Sequence, residues 1–360
     1  MGPLSGVKVV EIAGIGPGPF AAMLLADMGA DVIRVDRPGG SPAFGPNDPT
    51  LRGRPVVTAD LKTEEGKDLV RALAAQADAL IEGNRPGVME RLGLGPDDLL
   101  ARNPKLVYGR MTGYGQDGPL SSVAGHDINY ISISGVLGAI ARKGERPLFP
   151  INLAGDYGGG AMFLVVGILA GVLEARTSGK GQVVDAAMTD GSALLTAMMY
   201  GMRAANMWND EAGTNLLDSG AHFYEVYEAK DGGHVAIGAI EPQFYAELLR
   251  LLEIPAEEMP QFDMARWPEF KERLTDVIAT KTRAEWAAIL EPAEACATAV
   301  YGFGDAHEHP HNVARGTFIE RGGVVQPAPA PRFDRTPSEL RDAPSAEDAL
   351  AAWGVESPVG

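Results

Sequence analysis

The chain of 360 residues carries 31 Lys and Arg against 48 Asp and Glu, a formal net charge of −17. So acidic a chain offers no broad basic surface, which argues against nucleic acid as a partner. With 45% hydrophobic and 22% charged residues it is neither disordered nor a coiled coil, and its length calls for two domains or one enlarged α/β domain. Its 45 glycines follow no G-X-Y period, which excludes collagen and implies many tight turns.

Val7 to Ile12 is an apolar, β-branched run, followed by a Gly/Pro turn at Gly14 to Pro19, a helical pattern from Phe20 to Met28 and a second extended run from Ala30 to Val35. This reads as βαβ. The alternation continues through strand Pro55 to Leu61, helix Glu64 to Gln76, strand Ala79 to Glu82, helix Gly87 to Leu92 and strand Lys105 to Met111. Interleaved strands and helices with short connections predict a Rossmann-like α/β domain, its mostly parallel sheet covered on both faces. The most apolar stretch, Ala161 to Leu173, is short for a bilayer span and is bounded by Gly158-Gly159-Gly160, Glu174 and Arg176. A buried helix is expected there, with no membrane insertion. Ser178-Gly179-Lys180-Gly181 then leads into a strand at Gln182 to Ala187 and a Met-rich helix from about Thr189.

Near residue 220 the character changes. His222 to Ala229, a Lys230-Asp231-Gly232-Gly233 turn and His234 to Ile240 make a hairpin, followed by helices at Gln243 to Leu252, Trp267 to Ala279 and Arg283 to Leu290. The expected organisation is a large domain of residues 1–190 with 325–360, a linking helical region at 191–220 and a small α+β domain at 221–324. The Pro-Ala-Pro-Ala-Pro tail after Gln326 suggests an extended strap. The one cysteine, Cys296, sits between alanines and is expected to be buried and unreactive. With an amino terminus that shows no signal-peptide pattern, it points to the cytoplasm.

Gly14-Ile15-Gly16-Pro17-Gly18-Pro19, with Asp36 further on, invites a dinucleotide reading. The last glycine of G-x-G-x-x-G is replaced by Pro19, however, and the two prolines delete donors that a pyrophosphate wants, so a plain strand-to-helix turn is favoured. Arg34, Arg37, Arg52, Arg54, Lys62, Arg85 and Arg91 fall in predicted sheet-end loops and helix starts, where they form either a phosphate-binding rim or solvated surface charge. In Gly125-His126-Asp127-Ile128-Asn129-Tyr130, Asp127 stands near a helix start whose free N–H groups can hold an oxyanion, and His126 can transfer a proton near neutral pH. An N-cap with an incidental histidine fits the same spacing. Asp156, shortly before Gly158-Gly159-Gly160, is an N-cap or a carboxylate beside backbone that something approaches closely. Glu241, in Ile240-Glu241-Pro242, reads by itself as an ordinary surface carboxylate. His307, His309 and His311 alternate around Pro310 instead of repeating at i and i+4, so no metal site is expected. No G-x-S-x-G elbow occurs.

Gly-Pro-Leu-Ser-Gly near the start, Ala-Asp-Leu-Lys (59–62), Asn-Arg-Pro-Gly (84–87), Met-Thr-Gly-Tyr-Gly-Gln-Asp-Gly-Pro (111–119), Ala-Gly-His-Asp-Ile-Asn-Tyr (124–130) and Gly-Lys-Gly-Gln-Val-Val-Asp-Ala-Ala-Met (179–188) carry a resemblance. Together they resemble the family III CoA-transferase and racemase superfamily (CaiB/BaiF type), most closely its racemase branch, from about residue 3 to Pro-Arg-Phe at 331–333. The resemblance implies that His126 and Asp156 are the catalytic acid/base pair and that Glu241 partners the histidine. It implies CoA contacts at Arg37, Ala59, Asp60, Leu61, Lys62, Gly83, Asn84, Arg85, Arg91, Gly125, Asp127, Ile128, Asn129 and Tyr130. It further implies an interlocked homodimer, each site lying between the large domain of one chain and the small domain of the other. The substrate would be an acyl-CoA, with no separate cofactor.

The implied reaction interconverts (2R)- and (2S)-2-methylacyl-CoA thioesters through an enolate. Inverting the carbon next to the thioester needs two bases on opposite faces, with His126 and Asp156 in those roles. Helix-start N–H groups beside Asp127 would stabilise the enolate, and Glu241 would fix the imidazole tautomer. The alternative is CoA transfer, with Asp156 attacking a thioester as nucleophile to form an anhydride. Transferases of this kind lack a histidine at the position of His126 and carry a glycine-rich lid, whereas Gly238-Ala239-Ile240-Glu241 has a single glycine. Proton transfer is therefore favoured. A CoA-binding regulatory module would keep the arginines and need no paired bases.

Overall fold

The computed structural model describes residues 2–40, 45 and 47–356; residues 1, 41–44, 46 and 357–360 of the expected large domain lie outside the described residues. The chain divides into two compact units. One comprises Met1–Val136, Pro150–Thr196 and Gly316–Gly360, the other Leu137–Phe149 and Ala197–Arg315. The region 191–220 is thus shared between them, and the segment Leu137–Phe149 goes with the smaller unit.

The first unit runs through β1 (Lys8–Ile12), α1 (Pro17–Asp27), β2 (Asp31–Asp36), β3 (Val56–Thr58), α2 (Glu64–Gln76), β4 (Ala79–Glu82), α3 (Val88–Arg91), α4 (Pro96–Arg102), β5 (Val107–Thr112), α5 (Asp127–Ile133) and the first residue of α6 (Val136–Ala139). It resumes with a π-helix, Leu153–Ala161, that passes directly into α7 (Met162–Ser178), then β6 (Val183–Ala187) and α8 (Met188–Leu195). All six strands are parallel, in the order β3-β2-β1-β4-β5-β6. The order reverses between β1 and β4, the place where doubly wound sheets collect ligands.

The strands are apolar on both sides because both faces are covered. Ala21, Ala22 and Leu25 of α1 pack with Leu164 and Ile168 of α7 on one face, and Leu69, Leu73 and Leu99 cover the other. Glycine sets how closely α7 lies: a Cβ on Gly109 of β5 would stand 2.9 Å from the Leu164 side chain. The helical segment Leu153–Ser178 has 26 residues, and its most apolar window is half buried. It is longer than the apolar run suggests, because the π-helix extends it on its amino-terminal side.

The second unit contains α9 (Ala197–Ala204), β7 (Tyr224–Glu228), β8 (His234–Gly238), α10 (Pro242–Leu251), α11 (Trp267–Ile278), α12 (Arg283–Leu290), β9 (Ala297–Ala299) and α13 (Pro310–Arg315). Its strands form an antiparallel sheet β7-β8-β9. Leu248, Phe270 and Trp286 of the helices share one core with Phe223, Val235 and Ile237. Cys296 is exposed, not buried as its alanine neighbours suggested, with its backbone in the left-handed region at φ 47.

The chain then returns to the first unit with an antiparallel pair, β10 (Phe318–Arg321) and β11 (Val324–Pro327), and ends in α14 (Ala346–Trp353). The strap reading fails for this last part. The Ser345 hydroxyl accepts the Asp348 N–H at 3.0 Å and caps α14, and Ala349, Leu350 and Trp353 join the α2 side of the core.

Candidate active site

His126 is the N-cap of α5, with extended backbone. Its N–H donates to Asn129 Oδ1 at 3.0 Å, the reach-back half of a capping box, and its side chain is exposed. Asp127, the next residue, is only 6% exposed. Its Oδ2 accepts the N–H groups of Gly155 at 2.8 Å and Asp156 at 2.7 Å. Consecutive residues thus do opposite things: His126 faces outward, and Asp127 ties the start of α5 to the π-helix.

Asp156 lies inside that π-helix and is not a helix cap. Such helices are rare and frequent at functional sites. The close approach expected at the glycines after it is made by α8. A Cβ on Gly191 would stand 1.8 Å from the Gly159 carbonyl oxygen, and one on Gly159 would stand 2.5 Å from the Ser192 nitrogen. The crossing helices require glycine there.

Asp156 Oδ2 accepts from Asn152 Nδ2 at 3.1 Å. Burial holds the Asp156 carboxyl above the usual range, the Asn152 amide opposes this, the Asp127 charge adds to it, and the His126 imidazole pulls the other way. His126 adjoins Asp127 in the chain, and the Asp127 carboxylate holds the Asp156 N–H, so the two residues are tied to the same short stretch of backbone. Gly16, at φ +73, abuts the same carboxyl: a Cβ there would lie 3.4 Å from Asp156 Oδ2.

Gly16 also lines a cavity of about 540 Å³ at the carboxyl ends of β1 to β4. Arg37, Ala59, Asp60, Leu61, Lys62 and Asn84 are among its walls. Gly83, Arg85 and Arg91 are not; they lie exposed in the β4–α3 loop and on α3. Gly125, Asp127, Ile128, Asn129 and Tyr130 build the His126 turn instead. The Tyr130 ring occupies the space left free by Gly113 and Gly125, its hydroxyl donates to the Gly125 carbonyl, and burial pushes its phenol up to about 12.

The seven basic residues divide by their surroundings. Arg34 and Arg54 converge on buried Glu11, each at 2.5 Å, and Arg52 holds Asp27 at 2.5 Å; these are framework pairs. Arg37, Lys62, Arg85 and Arg91 are exposed. Glu241 belongs to the second unit, where it is the exposed N-cap of α10. The carbonyls of Ala239 and Ile240 before it both accept from Gln261 Nε2, at 3.0 and 2.8 Å. Among the described residues no group of three or more His, Cys, Asp or Glu is arranged to hold a metal.

Three site-shaping residues give no signal in the sequence. Asn152 stands four residues before Asp156, which means nothing until the segment is known to be helical. Glu82 accepts the Asn84 N–H at 2.7 Å, and burial pushes its carboxyl up to about 7. Arg110 lies 4.0 Å from Glu82 and reaches Glu90 and Gln116. Glu82 and Arg110 brace the loop that carries Arg85.

The chain is 47% identical over 337 residues to the alpha-methylacyl-CoA racemase of Mus musculus, covering 93% of this chain and 87% of that protein. It is 44% identical over 340 residues to the Homo sapiens protein of the same name, with the same coverage. A CaiB/BaiF family protein from Brucella suis has a similar structure, with a TM-score of 0.82 and 28% identity over 98% of this chain and 99% of that one. Residues 4–348 match the model of CoA-transferase family III, and the chain belongs to that family.

Proposed function

We propose that the protein is an α-methylacyl-CoA racemase, interconverting the (2R) and (2S) epimers of 2-methylacyl-CoA thioesters by 1,1-proton transfer. The observation that carries this reading is the Asp127 bridge. One carboxylate holds Asp156 beside the turn that presents His126, giving an imidazole and a carboxyl of raised pKa in one neighbourhood. A raised carboxyl pKa suits a group that must return a proton as readily as it takes one, and it weakens the case for a permanently ionised nucleophile.

In this reading one base removes the α-proton and the other delivers a proton to the opposite face. Neither needs to leave its place. The enolate oxygen lies against the N–H groups at the start of α5, where negative charge is favoured. CoA occupies the cavity over the switch point, with Arg37, Lys62, Arg85 and Arg91 as phosphate partners. Homology to racemases at 44–47% identity supports the assignment.

We infer a homodimer in which Glu241 of one chain orients His126 of the other. Its support is the amount of apolar side chain left uncovered: Met162, Val166 and Leu173 of α7 and Leu194, Leu195 and Met198 of α8 and α9 are 46–71% exposed. Both epimers should exchange the α-hydrogen in deuterated water. Absence of exchange together with CoA passing to an added carboxylate would establish the transferase reaction instead.

A further inference from the structure

We propose that Asn152 is a positioning residue for Asp156, holding one carboxylate oxygen so that the other meets the substrate and keeping the group able to ionise. The inference rests on the racemase reading. Asn152 Nδ2 donates to Asp156 Oδ2 at 3.1 Å, so Oδ1 remains for the α-carbon. Asn152 is the residue before the π-helix, and the residue before it, Ile151, has φ 55, a backbone conformation that β-branched side chains rarely adopt.

The groups around Asp156 act in opposition. From α5 come the His126 imidazole, the Asp127 carboxylate and the Tyr130 phenol. The first turn of α1 supplies no acidic residue, and Gly16, which abuts the carboxyl, has no side chain. Asp190 of α8 acts on Asp185. Asn152 is the neutral side-chain donor on the Asp156 carboxylate, and a donor to the ionised form favours it. Asp127 and burial push the other way. Without Asn152 the carboxyl stays protonated to higher pH, and the step in which it acts as base starves.

The test uses Asn152→Leu and Asn152→Asp in the full-length protein. One readout is the ¹³C titration of the Asp156 carboxyl without thioester, assigned by the resonance lost in Asp156→Asn. The other is the pH profile of kcat/KM for a 2-methylacyl-CoA. The Asp156 midpoint should rise by about one pH unit in Asn152→Leu and further in Asn152→Asp. The acid limb of the profile should follow, with KM changed less than about twofold. A midpoint that stays put, or a loss expressed only in KM, overturns the proposal. If Asn152→Leu does not fold, Asn152→Ala, which removes the donor without adding bulk, is read by the same titration; an unmoved midpoint there also overturns it. The titration needs no turnover, so it can fail while the racemase reading stands. Lack of α-hydrogen exchange in the unsubstituted protein sinks that reading and leaves the titration result intact.

Discussion

Asp127 and Asp156 are joined by a hydrogen bond of 2.7 Å from the Asp156 N–H to Asp127 Oδ2, while the two carboxylates oppose each other electrostatically. One residue thus holds Asp156 in place and adds to the effect of burial on its appetite for protons. Asp127→Ala should leave the Gly155 and Asp156 N–H groups buried and unpaired, at about 1–3 kcal/mol each in stability. Asp127→Asn removes the charge, so the Asp156 pKa should fall and the acid limb of kcat/KM should move to lower pH. Thermal unfolding and the pH profile check the two halves; an unmoved melting temperature in Asp127→Ala counts against the bridge.

The basic residues predict two separable phenotypes. Glu11, 1% exposed, is held by Arg34 and Arg54. Arg54→Met leaves this buried carboxylate with half its compensation and should cost about 3 kcal/mol, with CoA-thioester affinity intact in the folded fraction. Arg85→Ala and Arg91→Ala should leave the melting temperature alone and weaken thioester binding about fivefold each, as lost phosphate contacts would. Equal affinity in both alanine variants would remove these arginines from the CoA site.

Buried His222 gives the second unit a pH-dependent stability. Its Nε2 lies 2.6 Å from the Tyr245 hydroxyl, which donates to the Met259 carbonyl at 2.9 Å, so Nε2 carries the hydrogen. Nδ1 has no partner among the described residues. Burial, with Lys271 adding to it, pushes the imidazole pKa from 6.5 down to about 4. The unfolded chain therefore binds the extra proton first, and stability should fall as pH drops from about 6.5 to about 4, by about 3 kcal/mol in all. In His222→Phe that slope should disappear. A variant that keeps the slope would assign it to other groups.

Much of the fold was legible because it rests on local pattern. The alternation of β-branched runs with 3.6-period helices gave the parallel sheet, and α12 was expected at the residues where it occurs, Arg283–Leu290. The small unit's hairpin lay within about two residues of its observed ends. Illegible features depend on tertiary partners. The glycines at 158–160 read as a place for ligand approach, but the backbone of α8 comes there. Arg34, Arg52 and Arg54 look like Arg37 in sequence; only Glu11 and Asp27, buried at a distance along the chain, separate them. By itself Asp156 reads as an N-cap or as a carboxylate beside closely approached backbone; its acid/base role comes only from the family resemblance, and its π-helical setting has no periodicity that a short Gly-rich segment can display.

A dimer whose sites are shared between chains makes a prediction about mixtures. His126 and Glu241 belong to different units of one chain. If the His126 of each chain is oriented by the partner's Glu241, then His126→Ala and Glu241→Ala homodimers are each impaired at both sites. Reassembled together at equal amounts, half of the dimers are mixed, and in a mixed dimer both lesions fall in one site while the other site is intact. The mixture should then regain about one quarter of the unsubstituted specific activity, because two-fold symmetry pairs each large domain with the other chain's small domain. If each site is instead built within one chain, every mixed dimer carries one lesion per site, and mixing yields no more than the average of the two parents. Specific activity measured against mixing ratio separates these cases, since only shared sites give a curve that rises to a maximum at equal proportions.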